Sequence, residues 1–123
     1  MKKISLIAAI LLSIPLIILG GNYFVHFFEM PPPEETNAGL DMIMSMRENG
    51  LMAYVAAGHL LCGILLVIPK FRFLGALLHL PLSLGMVGFH LSMMPEGLAI
   101  VVVILALNIL AGLDKEKISY LIR

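Results

Sequence analysis

The sequence predicts an all-α, membrane-embedded, antiparallel four-helix bundle with a short amphipathic helix in its first outer loop. Three observations lead there. Of 123 residues, 60% are hydrophobic and only 13% charged, whereas soluble domains run at about half apolar and a quarter charged. A core of this size cannot absorb so much apolar surface, so lipid must be the solvent for much of it. The charges fall in short clusters between long uncharged runs. Finally, residues 51–94 form two apolar runs joined by the basic turn Pro69-Lys70-Phe71-Arg72, each about long enough to cross a bilayer, which reads as a transmembrane helical hairpin. Residues 1–123 are expected to form one domain. The formal net charge is zero, so nothing draws the chain toward nucleic acid.

The first span is expected over 4–28. Met1-Lys2-Lys3 followed by apolar residues imitates a secretory signal, but the run is longer than a signal's apolar core and no Ala-x-Ala site follows, so an uncleaved helix is expected. Pro15 lies mid-span, where membrane helices tolerate proline and a kink is anticipated. Residues 29–50 are the only long polar stretch. They open on Glu29-Met30-Pro31-Pro32-Pro33, which cannot be helical within the proline run. Thr36 or Asn37 can then cap a helix over 38–48, with Leu40, Ile43 and Met44 on one stripe and Asn49-Gly50 as its stop. That helix is expected at the membrane surface or over the mouth of the bundle. Further spans are expected over 51–68, 73–94 and 98–113, separated by Pro69 and Pro95 and closed by Asp114-Lys115-Glu116-Lys117, with 118–123 as a frayed continuation.

Basic residues set the orientation. One side carries Lys2, Lys3, Lys70, Arg72, Lys115, Lys117 and Arg123. The other carries Arg47 among Glu29, Glu34, Glu35, Asp41, Glu48 and Glu96. Both termini are therefore expected in the cytoplasm of a multi-pass protein, in a bacterial inner or cell membrane.

Polar residues within a span are costly and mark candidate sites. His26, His59 and His90 all fall in the outer half of the membrane. With Asn22 and Met86 they outline a ligand pocket under the 29–50 loop, provided that their faces converge. His79 shares a face with His90 and with Ser83, but lies toward the cytoplasmic side, and Asn108 is a further polar residue inside a span. Imidazoles from two helices can hold a haem, donate hydrogen bonds to a quinone-like or lipid-headgroup ligand, or join helices structurally. No H-x-x-x-H or C-x-x-C spacing supports a metal site. No Ser/His/Asp set, paired intramembrane carboxylates or phosphate loop supports catalysis by the chain alone. Cys62, in an apolar run, reads as a small buried residue. Pro81, Gly85 and Gly88 on one span, and Ala53, Ala57 and Gly58 on another, read as faces for close helix packing.

Several motifs, taken in order, resemble the DoxX family of small membrane proteins: Leu19-Gly20-Gly21-Asn22-Tyr23-Phe24-Val25-His26-Phe27-Phe28, Met30-Pro31-Pro32-Pro33, Gly58-His59-Leu60-Leu61-Cys62-Gly63 continuing to Phe71, Phe89-His90-Leu91, and Pro95-Glu96-Gly97-Leu98. The resemblance covers nearly the whole chain. It implies a four-helix membrane bundle and a link to quinone-reactive respiratory enzymes. The family pattern carries Glu where His59 stands and Lys where Tyr23 stands, so this chain lacks that buried acid and that lysine. The reading that follows is an accessory integral membrane protein, a non-catalytic subunit or stabiliser of a quinone-linked redox complex. The alternatives are a stand-alone small-molecule or lipid carrier with 38–48 as its lid, and a haem-carrying redox subunit using His59 with His90 or His26.

Overall fold

The computed structural model describes residues 2–29 and 35–122, and every regular element among them is helical. They are α1 (Lys2–Val25), α2 (Ala38–Glu48), α3 (Leu51–Val67), α4 (Arg72–Met93), α5 (Leu98–Ala111) and α6 (Lys115–Leu121), with single 3-10 turns at Pro69–Phe71 and Pro95–Gly97. The proline run over 31–33 lies outside the described residues. Two helical segments, Lys2–Val25 and Pro69–Met93, are long and apolar enough to cross a membrane. The number rises to four if each bent pair, α2 with α3 and α5 with α6, is one span.

α1, α3, α4 and α5 pack in a closed cycle, α1 on α3, α3 on α4, α4 on α5 and α5 back on α1. Their interior mixes alanines and a few larger apolar residues with buried polar side chains. Ala8, Ala9, Leu12, Leu16, Cys62, Leu66, Ala76, Ile104 and Ala111 form the core, with Met86, Leu107 and Leu110 against it. The bulky residues face out: Ile7, Ile10, Leu11, Ile14, Ile18 and Leu19 of α1 are all exposed, as are Leu77, Leu78 and Leu84 of α4 and Ile100, Val102 and Val103 of α5. A helix apolar all round, with its larger residues outward, fits lipid as solvent. Exposed apolar surface on this scale does not fit water.

Of the glycines the sequence pointed to, Gly58 approaches α4, where a Cβ would stand 3.3 Å from Leu82 Cδ1, but the closest approaches are made elsewhere. A Cβ on Gly20 would stand 2.8 Å from Ala56 O and 2.9 Å from Leu60 N, and one on Gly75 would stand 2.9 Å from Leu65 Cβ. Gly85 and Gly88 are exposed and have nothing within 4 Å of where a Cβ would sit, so that stripe faces away from the other helices. α1 and α3 therefore meet backbone to backbone at Gly20.

The helix ends follow from local chemistry. α1 runs unbroken past Pro15 and stops at Val25, earlier than expected. His26 adopts φ +57°, and the Asn22 side chain accepts from Phe28 N–H at 2.9 Å. α2 starts where Asn37 Oδ1 accepts from Leu40 N–H at 2.9 Å and ends at Asn49, followed by Gly50 at φ +83°. It meets α3 at a bend of 92° and packs on α3 and α4, with Gly39 against Met93 and Met94. The tail is a separate helix rather than a continuation of α5. Asp114 Oδ1 accepts from Lys117 N–H, and α6 turns away by 87°.

Removing the α2 cap gives a local prediction. Asn37→Ala costs α2 about 1 kcal/mol, read as roughly fivefold faster amide exchange at Leu40 and its neighbours. Exchange across α4 is expected to be unchanged.

Candidate functional site

The polar centre of the molecule joins α3, α4 and α5. His79, Ser83 and Asn108 are fully or almost fully buried, and His59 is half-buried. His79 and Ser83, four residues apart on α4, share one face. Asn108 reaches them from α5 and His59 from α3. His59 is the central residue of α3, about 12 Å by rise from either end.

The bonds form a chain. His59 Nδ1 is 2.9 Å from His79 Nε2. His79 Nδ1 is 2.7 Å from Asn108 Oδ1 and 2.9 Å from Ser83 Oγ. Ser83 Oγ donates to Asn108 Oδ1 at 2.6 Å, and Asn108 Nδ2 donates to Ala76 O at 2.8 Å. No buried side-chain nitrogen or oxygen among the described residues lacks a partner.

This pattern fixes the protons. Asn108 gives an amide hydrogen to Ala76 O, so its oxygen faces His79 and Ser83 further along α4. The Ser83 hydroxyl spends its one proton on that oxygen. His79 Nδ1 then faces acceptors only and must carry its own hydrogen. With both rings neutral, His79 Nε2 is a bare acceptor and His59 Nδ1 donates to it. His59 Nε2 is left as a bare acceptor too. It makes no hydrogen bond among the described residues and is not sealed in the interior. Polarity therefore runs one way, from the open nitrogen of His59 inward to Asn108.

Chemically, neutral His59 accepts a hydrogen bond rather than donating one. A proton taken at its Nε2 lets the Nδ1 proton pass to His79 Nε2. Transfer stops there, because Asn108 offers an amide oxygen and no further titratable group.

The structure separates the five residues of the expected pocket. Asn22 and His26 lie together at the end of α1, where they line a polar cup of about 500 Å³ with Tyr23, Phe28, Glu29 and Arg47. His90 closes the α4–α5 turn. Its Nδ1 donates to Met94 O at 2.9 Å, and its ring fills the space a Cβ on Gly97 would need. Met86 packs against the apolar core. No hydrogen bond or ring contact joins His59 to His26 or His90; its partner is His79. α1 ends at Val25, which leaves His26 exposed beyond the helix.

Of the imidazoles named for haem, His59 commits Nδ1 to His79 and His90 commits Nδ1 to a carbonyl, so each could ligate only through Nε2. Among the described residues, no three His, Cys, Asp or Glu side chains gather as metal ligands.

Sequence reasoning named His79, Ser83 and Asn108 as intramembrane polar groups but left them outside the pocket. The available signal was the His79/Ser83 spacing together with Asn108 as the sole polar residue of its span. Comparisons with protein-family profiles, curated proteins and solved structures find no match.

Proposed function

We propose that this chain is an accessory integral membrane protein, a non-catalytic subunit or stabiliser of a quinone-linked redox system. In this reading His59 receives the ring hydroxyl of a reduced quinone-type ligand. The observation that carries it is the open acceptor nitrogen of His59, near the middle of α3, at one end of an otherwise satisfied hydrogen-bonded set. Such a nitrogen favours a hydroxyl donor over a carbonyl, hence the quinol over the quinone. His79, Asn108 and Ser83 hold the ring in the accepting tautomer and give a released proton one place to go. The resemblance to DoxX proteins supports the same reading.

The proposal takes the molecule as a four-pass antiparallel bundle. Lys2 and Ser5 of α1 meet Ala111–Lys117 in one cavity, and Ser5 Oγ donates to Ala111 O at 2.9 Å, so both ends of the described chain lie together. That end is rich in Lys and Arg, which supports cytoplasmic termini. The cup at the far end of α1, with Glu29 and Arg47, then faces outward.

The test is ligand titration of the protein in lipid nanodiscs. The reduced form of a short-chain benzoquinone is expected to bind about five- to tenfold tighter than the oxidised form, the worth of one hydrogen bond. His59→Leu removes that preference. Equal binding of both forms by the wild type, or an unchanged preference in His59→Leu, counts against the site. Capture under mild detergent is expected to bring down a quinone-reactive partner, and a lone species counts against the subunit role. A Soret band in the purified protein would favour the haem-carrying reading instead.

A further inference from the structure

Where the start of α1 meets the α5–α6 corner lies a cavity of about 440 Å³, unrelated to the histidine chain. Three separate stretches of sequence build it: Lys2 and Ser5 of α1, Pro69, Arg72 and Phe73 at the α3–α4 turn, and Ala111 through Lys117 at the α5–α6 corner. Four of the lining residues are cations, Lys2, Arg72, Lys115 and Lys117, against two carboxylates, Asp114 and Glu116.

Their pairing is uneven. Asp114 serves its own helix, accepting from Lys117 N–H at 3.1 Å with Oδ1 and standing 4.0 Å from Lys117 Nζ with Oδ2. That is the only ion pair among the described residues, so Lys2, Arg72 and Lys115 have no carboxylate partner. Arg72 is also held in place. Its Nε donates to Leu66 O at 3.2 Å, which fixes the arm and leaves the terminal amines of the guanidinium without a hydrogen bond among the described residues. A fixed guanidinium lining one cavity with two ammonium groups that have no carboxylate partner suits a phosphate oxyanion. Phe73 and Pro69 give the same cavity an apolar wall.

We propose that this cavity binds the phosphate of an anionic phospholipid headgroup, clamping α1, the α3–α4 turn and α6 together at the inner membrane interface. The proposal rests on the membrane reading above, which puts the cavity at headgroup depth with acyl chains free to run along the exposed apolar faces. Basic pockets between membrane helices on the cytoplasmic side recognise such headgroups.

The experiment uses the full chain in detergent with mixed phosphatidylcholine and phosphatidylglycerol, and counts retained lipid by native mass spectrometry. The wild type is expected to retain phosphatidylglycerol about tenfold more strongly than phosphatidylcholine. Lys2→Gln with Lys115→Gln removes that preference. Lys3→Gln with Lys70→Gln removes equal charge from the same end but outside the cavity lining, and keeps it. Should the first pair fail to fold, Lys115→Gln alone, at an exposed position, is expected to lower the preference severalfold. Equal losses in both double variants would reduce the effect to general attraction and overturn the site. Inorganic phosphate bound in place of phosphatidylglycerol, with no lipid retained, would overturn the lipid source. Wild type that stays in carbonate-washed membranes yet shows no lipid preference overturns this proposal alone. Wild type released by carbonate overturns the membrane reading and this proposal with it.

Discussion

Replacing Gly20 by valine destabilises the helix assembly by about 2–3 kcal/mol. The effect comes from backbone rather than from an adaptable side chain. A Cβ at 20 meets the Ala56 carbonyl at 2.8 Å and the Leu60 nitrogen at 2.9 Å, so α1 and α3 must separate to admit it. Separation also loosens Gly63, where a Cβ would stand 2.8 Å from Ile17 Cγ1 on the facing helix. The control is Gly85→Val, at a position with nothing within 4 Å, expected to change stability by no more than about 0.5 kcal/mol. Unfolding by a detergent titration measures both. Equal effects would show that α1 and α3 do not meet where the structure places them.

The second large effect is at Asn108. Its side chain makes three hydrogen bonds, to His79, Ser83 and Ala76 O. Asn108→Leu removes all three and leaves the His79 Nδ1–H with only the Ser83 oxygen. Intramembrane side-chain bonds average near 0.6 kcal/mol and reach about 1.7, while an orphaned buried donor costs about 1–3. A net loss of about 2–3 kcal/mol follows. Ser83→Ala is milder, near 1 kcal/mol, because His79 keeps Asn108. The double variant His79→Leu with Asn108→Leu costs less than the sum of the singles by at least about 1 kcal/mol, since neither partner of the His79–Asn108 bond is then left without the other. Additive losses would mean that the two side chains are not coupled.

Much of the architecture was legible because long apolar runs bounded by prolines mark helices. The runs expected at 51–68, 73–94 and 98–113 lie within a few residues of Leu51–Val67, Arg72–Met93 and Leu98–Ala111, since Pro69 and Pro95 punctuate them. Asn37 was readable as a cap because only a few side chains can accept a bond from the first turn. The inner surface was less legible. In a membrane helix both faces are apolar, so periodicity does not say which glycine meets a neighbour. Gly20, Gly63 and Gly75 approach other helices, while Gly85 and Gly88 face away.

The site was half readable for the same reason. The cost of burying an imidazole marked His59 and His79 alike, and helical spacing put His79 beside Ser83. The rotation of α3 about its axis was not in the pattern, and it decides that His59 turns to His79. The expected span ran to 28, past the observed end of α1 at Val25, because nothing in the run 23–28 signals that His26 takes a positive φ.

The most direct measurement is the tautomer of each imidazole, by nitrogen NMR on protein labelled with 15N only at histidine, in nanodiscs. Neutral imidazole in water favours hydrogen on Nε2. The hydrogen-bond chain instead requires Nδ1–H on both His59 and His79, with a coupling across the bond from His59 Nδ1 to His79 Nε2. Nδ1–H on both rings is the predicted result. Hydrogen on Nε2 of His59 in the neutral protein would reverse the polarity of the chain, close the acceptor offered to a quinol, and contradict the account.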